Sequence, residues 1–291
     1  MKAISFGEVL WDIIEGKEYL GGAPFNLAAH LAKLGCSSRM ISRVGEDERG
    51  SKVLEEMKHL GVDPSFMQKD KDHPTGTVNV RLSFAGEPEF TINKNAAYDF
   101  IEFDKKLEAG IKEEKFDAFC FGTLAQRSDV TKKTLYTLLG SVNSNLFFYD
   151  VNLRQKYYSK EIINKSLSVS GIVKLNDDEA KVLPEIVFNK KMDEKEFATE
   201  LCRGYRVKIV CVTRGGNGCA VYSGGEFREI PGIKVKVIDT VGSGDAFSAG
   251  FLFKHCSGKD PFEAAEFANR LGAFVASKRG AIPDYDLNYE L

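Results

Sequence analysis

Between residues 116 and 213 the chain alternates short apolar runs with amphipathic stretches, and that rhythm restricts the fold more than any other feature. Runs at 116–121, 145–151, 171–175 and 207–213 are separated by segments long enough for one or more helices each. They are apolar on both faces, as strands of a parallel sheet covered by helices must be. Right-handed crossovers then place helices on both sides of that sheet. The flanking parts fit the same scheme. A strand is expected over 2–10, a helix from Gly22 to Leu34 with Pro24 in its first turn and Gly35 as its stop, a strand over 39–44 and a helix over 49–60. Near the other end come a hairpin (218–222 with 226–230), a helix over 246–255 and a last helix over 264–278 with an Ala/Gly-rich face.

One segment breaks the rhythm. Residues 77–84 alternate strictly between polar and apolar side chains, a turn is expected at 85–88, and the alternation resumes over 89–92. A hairpin with one dry and one wet face is expected here, apart from the main sheet. It would serve as a flap over a site, as a contact between two copies of the chain, or as an ordinary sheet edge. No tract reads as a linker, so the expectation is one domain over 1–291 with a small β appendage.

Composition excludes several functions. The 291 residues carry a net charge of −2, with 28% charged and 43% hydrophobic side chains, and basic residues are scattered among acids. That gives no surface for nucleic acid or anionic membranes. No apolar run approaches the ~20 residues of a membrane span, and the first residues read as a strand rather than a signal peptide. Six dispersed cysteines form no CxxC pair, which suits free thiols in a reducing cytoplasm.

The chemistry concentrates at Asp239-Thr240-Val241-Gly242-Ser243-Gly244-Asp245. A β-branched run (Ile233, Val235, Val237, Ile238) precedes it as an expected strand, and a helix follows. Glycines between strand and helix start let several backbone N–H groups converge on an anion. Asp245 is then either a helix N-cap or a base that takes a proton from an attacking hydroxyl. Polar clusters also fall at successive strand ends, where ligands of open parallel sheets gather. Asp150, Asn152 and Arg154 occupy alternate positions and are expected to point one way. Asn176 and Glu179 have the spacing of a capping box. Thr213-Arg214-Gly215-Gly216-Asn217-Gly218 is a turn that could lay a nucleotide against backbone.

In this order the motifs resemble the ribokinase-like (PfkB) family of carbohydrate kinases. The resemblance rests on Gly21-Gly22-Ala23-Pro24-x-Asn26, Asn176-x-x-Glu179, Thr213-Arg214-Gly215-Gly216-x-Gly218, the 239–247 loop and Gly280-Ala281-Ile282-Pro283. It implies a predominantly parallel α/β sheet with helices on both faces and a small β lid, the lid made from about 12–22 and 74–98. It implies transfer of the γ-phosphoryl group of ATP, carried with Mg²⁺, to a sugar hydroxyl. Asp245 would be the base, and Gly242, Ser243 and Gly244 the anion hole. Asp12, Gly22, Asn26 and Asn152 would hold the sugar. Asn176, Glu179, Thr213, Gly215, Gly218, Asn269 and Arg154 would hold the nucleotide, with Glu179 reaching Mg²⁺ through water. Asp239 matches the Asp of a monovalent-cation (K⁺) site, and the family's lids pair in homodimers. Gly7-Glu8-x-Leu10-x-Asp12 with Asp150-x-Asn152-Leu153-Arg154 resembles the fructokinase branch, which points to fructose ahead of 2-keto-3-deoxygluconate, ribose or another ketose. Lys94 and Tyr98 depart from that branch: Tyr98 would reshape the sugar pocket or pack beneath it, and Phe25 and Trp11 would wall it or lie in the core. Two other classes are weighed against a kinase. A dinucleotide-dependent oxidoreductase would need G-x-G-x-x-G after the first strand, which is absent. A non-catalytic sugar sensor would have no use for Asp245.

Overall fold

The computed structural model describes residues 1–82 and 88–285. In chain order the elements are β1 (Lys2–Phe6), β2 (Leu10–Ile14), β3 (Lys17–Gly21), α1 (Ala23–Lys33), β4 (Ser37–Gly45), α2 (Glu48–His59), β5 (Val62–Asp70), β6 (Gly76–Leu82) and β7 (Pro88–Ile92). There follow α3 (Lys105–Glu113), β8 (Ala118–Gly122), α4 (Asp129–Ser141), β9 (Phe147–Asp150), α5 (Lys160–Val169), β10 (Ile172–Asn176), α6 (Asp177–Phe188) and α7 (Glu194–Gly204). The chain closes with β11 (Ile209–Thr213), β12 (Cys219–Ser223), β13 (Glu226–Ile230), α8 (Ser243–Cys256) and α9 (Pro261–Ala276).

Nine strands make the main sheet in the order β13-β12-β11-β10-β9-β8-β1-β4-β5. The seven from β11 to β5 are parallel, and β12 and β13 close one edge antiparallel. Neighbouring strand residues divide between two cores. Ile4, Phe121, Tyr149, Val173 and Val212 face α3 to α7, while Ala3, Cys120, Phe148, Ile172 and Cys211 face α1, α8 and α9. That division is what a two-sided sheet does with a continuous apolar strand. The small residues on α9 seat it against α8: a Cβ on Gly250 would stand 3.1 Å from the Ala268 Cα, and one on Gly272 3.1 Å from the Ser243 oxygen. The thiols are all free, four buried and two half-buried.

From β1 the chain runs one way to β4 and β5, whereas β8 lies on the other side of β1. The carboxyl end of β1 is therefore the switch point where such sheets bind ligands. The strand expected over 2–10 divides there. Gly7 (φ 143°) carries the chain out of the main sheet, and Leu10 starts the second one. This second sheet has four strands in the order β3-β2-β6-β7, with β6 and β7 the expected antiparallel hairpin. Of the turn expected at 85–88, residues 85–87 lie outside the described residues.

Two other expectations are corrected. Residues 233–241 form no strand, and Ile233, Val235, Val237, Ile238 and Val241 stand exposed. The backbone groups there are held elsewhere: Asn269 donates to the Pro231 oxygen, and the Ile238 and Asp239 N–H groups donate to the Ala276 oxygen at the end of α9. β9 also stops at Asp150, and Asn152 and Gln155 take positive φ (42° and 50°), so Asp150, Asn152 and Arg154 do not share a strand face.

Candidate active site

Gly242 is the N-cap of α8, at φ 78° and with no side-chain cap, so Asp245 sits inside the first turn and is not the cap. Gly242 must be glycine on two counts. Its φ is left-handed, and a Cβ would lie 2.4 Å from the Ala281 oxygen. The first-turn N–H groups have no helical partner; that of Ser243 makes only a long contact of 3.3 Å to the Thr240 oxygen, which also accepts from Ser243 Oγ.

The Asp245 carboxylate accepts a 2.7 Å hydrogen bond from Asn26 Nδ2, joining residues 219 apart in the chain. Asn26 lies in the first turn of α1, whose N-cap is Gly22 (φ 109°). A Cβ on Gly22 would meet the Glu8 carbonyl at 2.6 Å, so the glycine lets this helix start close against the switch point. Burial pushes the Asp245 pKa up to about 6; the Asp150 charge adds to the rise, and Lys174, the Asn26 hydrogen bond and Arg154 oppose it.

Beneath the glycine loop lies an ion pair absent from the sequence expectations. Lys174 Nζ stands 3.1 and 3.3 Å from the two Asp150 oxygens, both groups nearly buried, and Ser248 Oγ donates to Asp150 at 3.0 Å. A Cβ on Gly244 would stand 3.3 Å from that ammonium, so the missing side chain opens the loop to a buried positive charge. The sequence signal was available in the Lys immediately before Leu175-Asn176, but a lysine inside an apolar strand reads as an interruption until its partner is known.

Glu8 is the other residue not foreseen as part of the site. It is 2% exposed, and its Oε2 has no partner among the described residues. Burial pushes its pKa up to about 7, against the charge of Arg154. Asp12, on β2, is pushed up to about 6 by burial, with Arg154 pulling the other way. The charge of exposed Arg154 thus acts on three carboxylates, those of Glu8, Asp12 and Asp245.

The pfkB family carbohydrate kinase model matches residues 2–287. The chain belongs to that family. It is 30% identical to the probable fructokinase-7 of Arabidopsis thaliana over 96% of this chain and 88% of that protein. It superposes on the ATP-bound fructokinase of Xylella fastidiosa with a TM-score of 0.87, at 21% identity over 97% of this chain and 94% of that one. The fructokinase of Vibrio cholerae O395, in its fructose, ADP and calcium ion bound form, gives a TM-score of 0.82 at 23% identity, with the same coverage. The last two likenesses, at such identities, speak for the fold. This kinase is a phosphotransferase with an alcohol group as acceptor.

The remaining motif residues of the kinase are less free than their motifs suggest. Asn176 and Glu179 form the capping box: Asn176 Oδ1 accepts from the Glu179 N–H at 2.8 Å, and Glu179 returns a bond from the Asn176 N–H at 2.9 Å. The second Glu179 oxygen accepts from the Leu153 N–H at 2.7 Å, and burial raises its pKa. With both oxygens engaged, and no cluster of three metal-ligating side chains among the described residues, the donor set fits a Mg²⁺ that travels with phosphates behind water, not one caged by protein. Gly218 is required for packing, since a Cβ would stand 2.1 Å from the Ile230 oxygen, whereas Gly215 faces open space at φ 53°. Thr213 Oγ1 leans on the Leu175 oxygen at 3.4 Å, and Asn269 holds Pro231. The Asp239 carboxylate accepts from the N–H groups of Val241 and Gly280, at 3.0 and 3.1 Å.

Both aromatic candidates for the pocket wall lie in the core. Phe25 is fully buried, and Trp11 packs with Met40 and Val53 while its Nε1 donates to the Arg49 oxygen. Tyr98 is fully buried. Its ring packs beneath β6, 2.6 Å from where a Cβ on Gly76 would stand. Lys94 is exposed.

Proposed function

We propose that this kinase transfers the γ-phosphoryl group of ATP to the 6-hydroxyl of fructose, with Asp245 as the base. The observation that carries the reading is the Asn26–Asp245 hydrogen bond, because it joins the acceptor-side helix start to the anion-hole helix start at the Asp245 carboxylate. The sugar hydroxyl oxygen forms its bond to the γ-phosphorus as the bond from that phosphorus to the β,γ-bridging oxygen breaks. The hydroxyl proton goes to Asp245, and ADP leaves. Backbone N–H groups of Gly242, Ser243 and Gly244 face the charge of the transferred group without reorganising. Lys174 adds positive charge from below.

Asp12, Gly22, Asn26 and Asn152 hold the sugar in this reading; Thr213, Gly215, Gly218, Asn269 and Arg154 border the nucleotide, Gly218 and Asn269 by fixing the loops behind it. Mg²⁺, when bound, neutralises phosphate oxygens, and Asn176 and Glu179 orient its water. Asp239 fixes the turn at which backbone carbonyls would hold K⁺, and replacing K⁺ by Na⁺ in the assay tests that assignment. The four-stranded sheet closes over the sugar and excludes water, a competing acceptor, and pairs with a second copy's sheet; light scattering at assay concentration tests the dimer. No helix among the described residues is long and apolar enough to cross a membrane, and the kinase works in the cytoplasm on a small sugar.

The test is ATP consumption with Mg²⁺ and K⁺ over ketoses, aldoses, sugar acids and nucleosides. A fructose kcat/KM well above the rest, lost in Asp245→Asn, is expected. Preference for another sugar overturns fructose and keeps the mechanism, while saturable sugar binding without turnover overturns both.

A further inference from the structure

Glu8 Oε2, Asn26 Oδ1, Tyr98 Oη and Arg127 Nη1 are buried without a partner among the described residues, and they belong to linked side chains: the Arg127 guanidinium lies over the Tyr98 ring, Glu8 feels the charges of Arg127 and Asp245, and Asn26 is bonded to Asp245. Burying such groups unpaired is costly, and their grouping at one place marks a spot shaped for a polar guest. Two of the four are acceptors and one is a donor, while the phenol can be either, so the guest must both give and take hydrogen bonds. A polyhydroxy sugar does so.

The charges around the spot narrow the guest further. Arg127 is already neutralised: its Nε and Nη2 grip Asp99 at 2.7 and 2.8 Å, and its guanidinium lies 5.0 and 4.8 Å from the centres of the Tyr98 and Tyr157 rings. Lys174 is likewise matched by Asp150. What remains is Glu8, Asp12 and Asp245, all acted on by the charge of exposed Arg154. Glu8 also lines a void of about 10 Å³ with Pro24, Asp150 and Asn152, room for about one hydroxyl or water.

We propose that Glu8 is a specificity-determining residue of the acceptor site, taking a hydrogen bond from a hydroxyl of a neutral sugar and repelling the carboxylate of a sugar acid. The inference rests on the sugar-kinase reading and decides between two of its acceptor classes. Asp245 does the chemistry, and Glu8 selects what reaches it.

Two substitutions separate charge from hydrogen bonding, measured at about pH 8, where Glu8 is mostly ionised given its pKa of about 7. Glu8→Gln keeps the shape and removes the charge; Glu8→Met removes both charge and acceptor. Fructose and 2-keto-3-deoxygluconate are compared by equilibrium binding and as substrate or competing inhibitor. In Glu8→Gln the preference for the neutral sugar over the acid falls about tenfold or more. In Glu8→Met the fructose Kd and KM rise about tenfold or more, while kcat stays within about threefold. A folded Glu8→Gln with unchanged preference overturns the proposal, as does a wild-type enzyme that favours the sugar acid. If the wild type turns over a different neutral sugar and Glu8→Gln loses its preference against that sugar's acid, fructose is wrong and the role of Glu8 stands.

Discussion

Replacing Asn26 by Ala removes the one hydrogen bond that the side chains of the acceptor side make to the base. The bond favours the charged carboxylate, so its loss raises the Asp245 pKa from its value of about 6. A hydrogen bond to a charged group is worth about 1.5–3 kcal/mol. At ~1.4 kcal/mol per unit, the expected rise is about 1–2 units. The fraction of enzyme with an ionised base at pH 7 then falls from about 90% to between about 50% and 10%, which follows from the same shift. The assay is kcat/KM against pH, from about 5 to 9, which reports the pKa of the unliganded enzyme, beside kcat at saturating sugar and nucleotide; weakened sugar binding by Asn26→Ala lowers kcat/KM by one factor and leaves the limb where it is. The acidic limb of the profile moves up by that amount, and activity recovers at high pH. A kcat reduced by one constant factor at every pH, with the limb unmoved, would refute the claim that Asn26 tunes the base.

Four further outcomes are expected. Asp245→Asn lowers kcat by about 10²–10⁴-fold, erases the acidic limb and leaves fructose binding intact by calorimetry. Gly242→Ala combines a left-handed φ with a Cβ 2.4 Å from the Ala281 oxygen, so the loop must shift; kcat collapses while the sugar Kd holds. Lys174→Met leaves Asp150 buried without its counter-charge, and urea unfolding shows a loss of about 3–5 kcal/mol that Lys174→Met/Asp150→Leu largely recovers. His30 is buried, bonded to the Ala281 oxygen and the Tyr285 hydroxyl, and burial lowers its pKa to about 4. With an unfolded value near 6.5, the unfolded chain takes the proton first. Stability is therefore full above about pH 6.5 and falls by roughly 3 kcal/mol as the pH drops toward 4, a slope that His30→Gln flattens.

The fold was legible wherever a residue's own neighbours in sequence decide its fate. Strands buried on both faces show as apolar runs, and the hairpin of the second sheet shows as alternation, because each pattern is set by which faces are dry. The 233–241 stretch misled for a related reason. Its β-branched residues favour extended backbone, but a strand also needs an edge to pair with; here the Ile238 and Asp239 N–H groups go to the Ala276 oxygen instead. Local propensity has no term for that competition. The site divides along the same line. Glycines such as Gly22 and Gly242 are visible in sequence because a backbone requirement restricts the residue type at one position. Lys174, Asp150 and Glu8 can be seen in the sequence but not interpreted there, because their meaning lies in a partner far along the chain or, for Glu8, in one oxygen left without a partner among the described residues. The same distinction separates Asp245 from Glu179. Both are acids in the first turn of a helix that follows a polar strand end or loop. Glu179 has each oxygen engaged by a backbone N–H group, one of its own helix start and one of Leu153, so any part it takes at a metal passes through water. Asp245 is turned away from its own N-cap and held by a single side chain from α1. Among the described residues one oxygen has no hydrogen-bond donor, and that vacancy, which no motif records, is what the proposed base needs to take a proton.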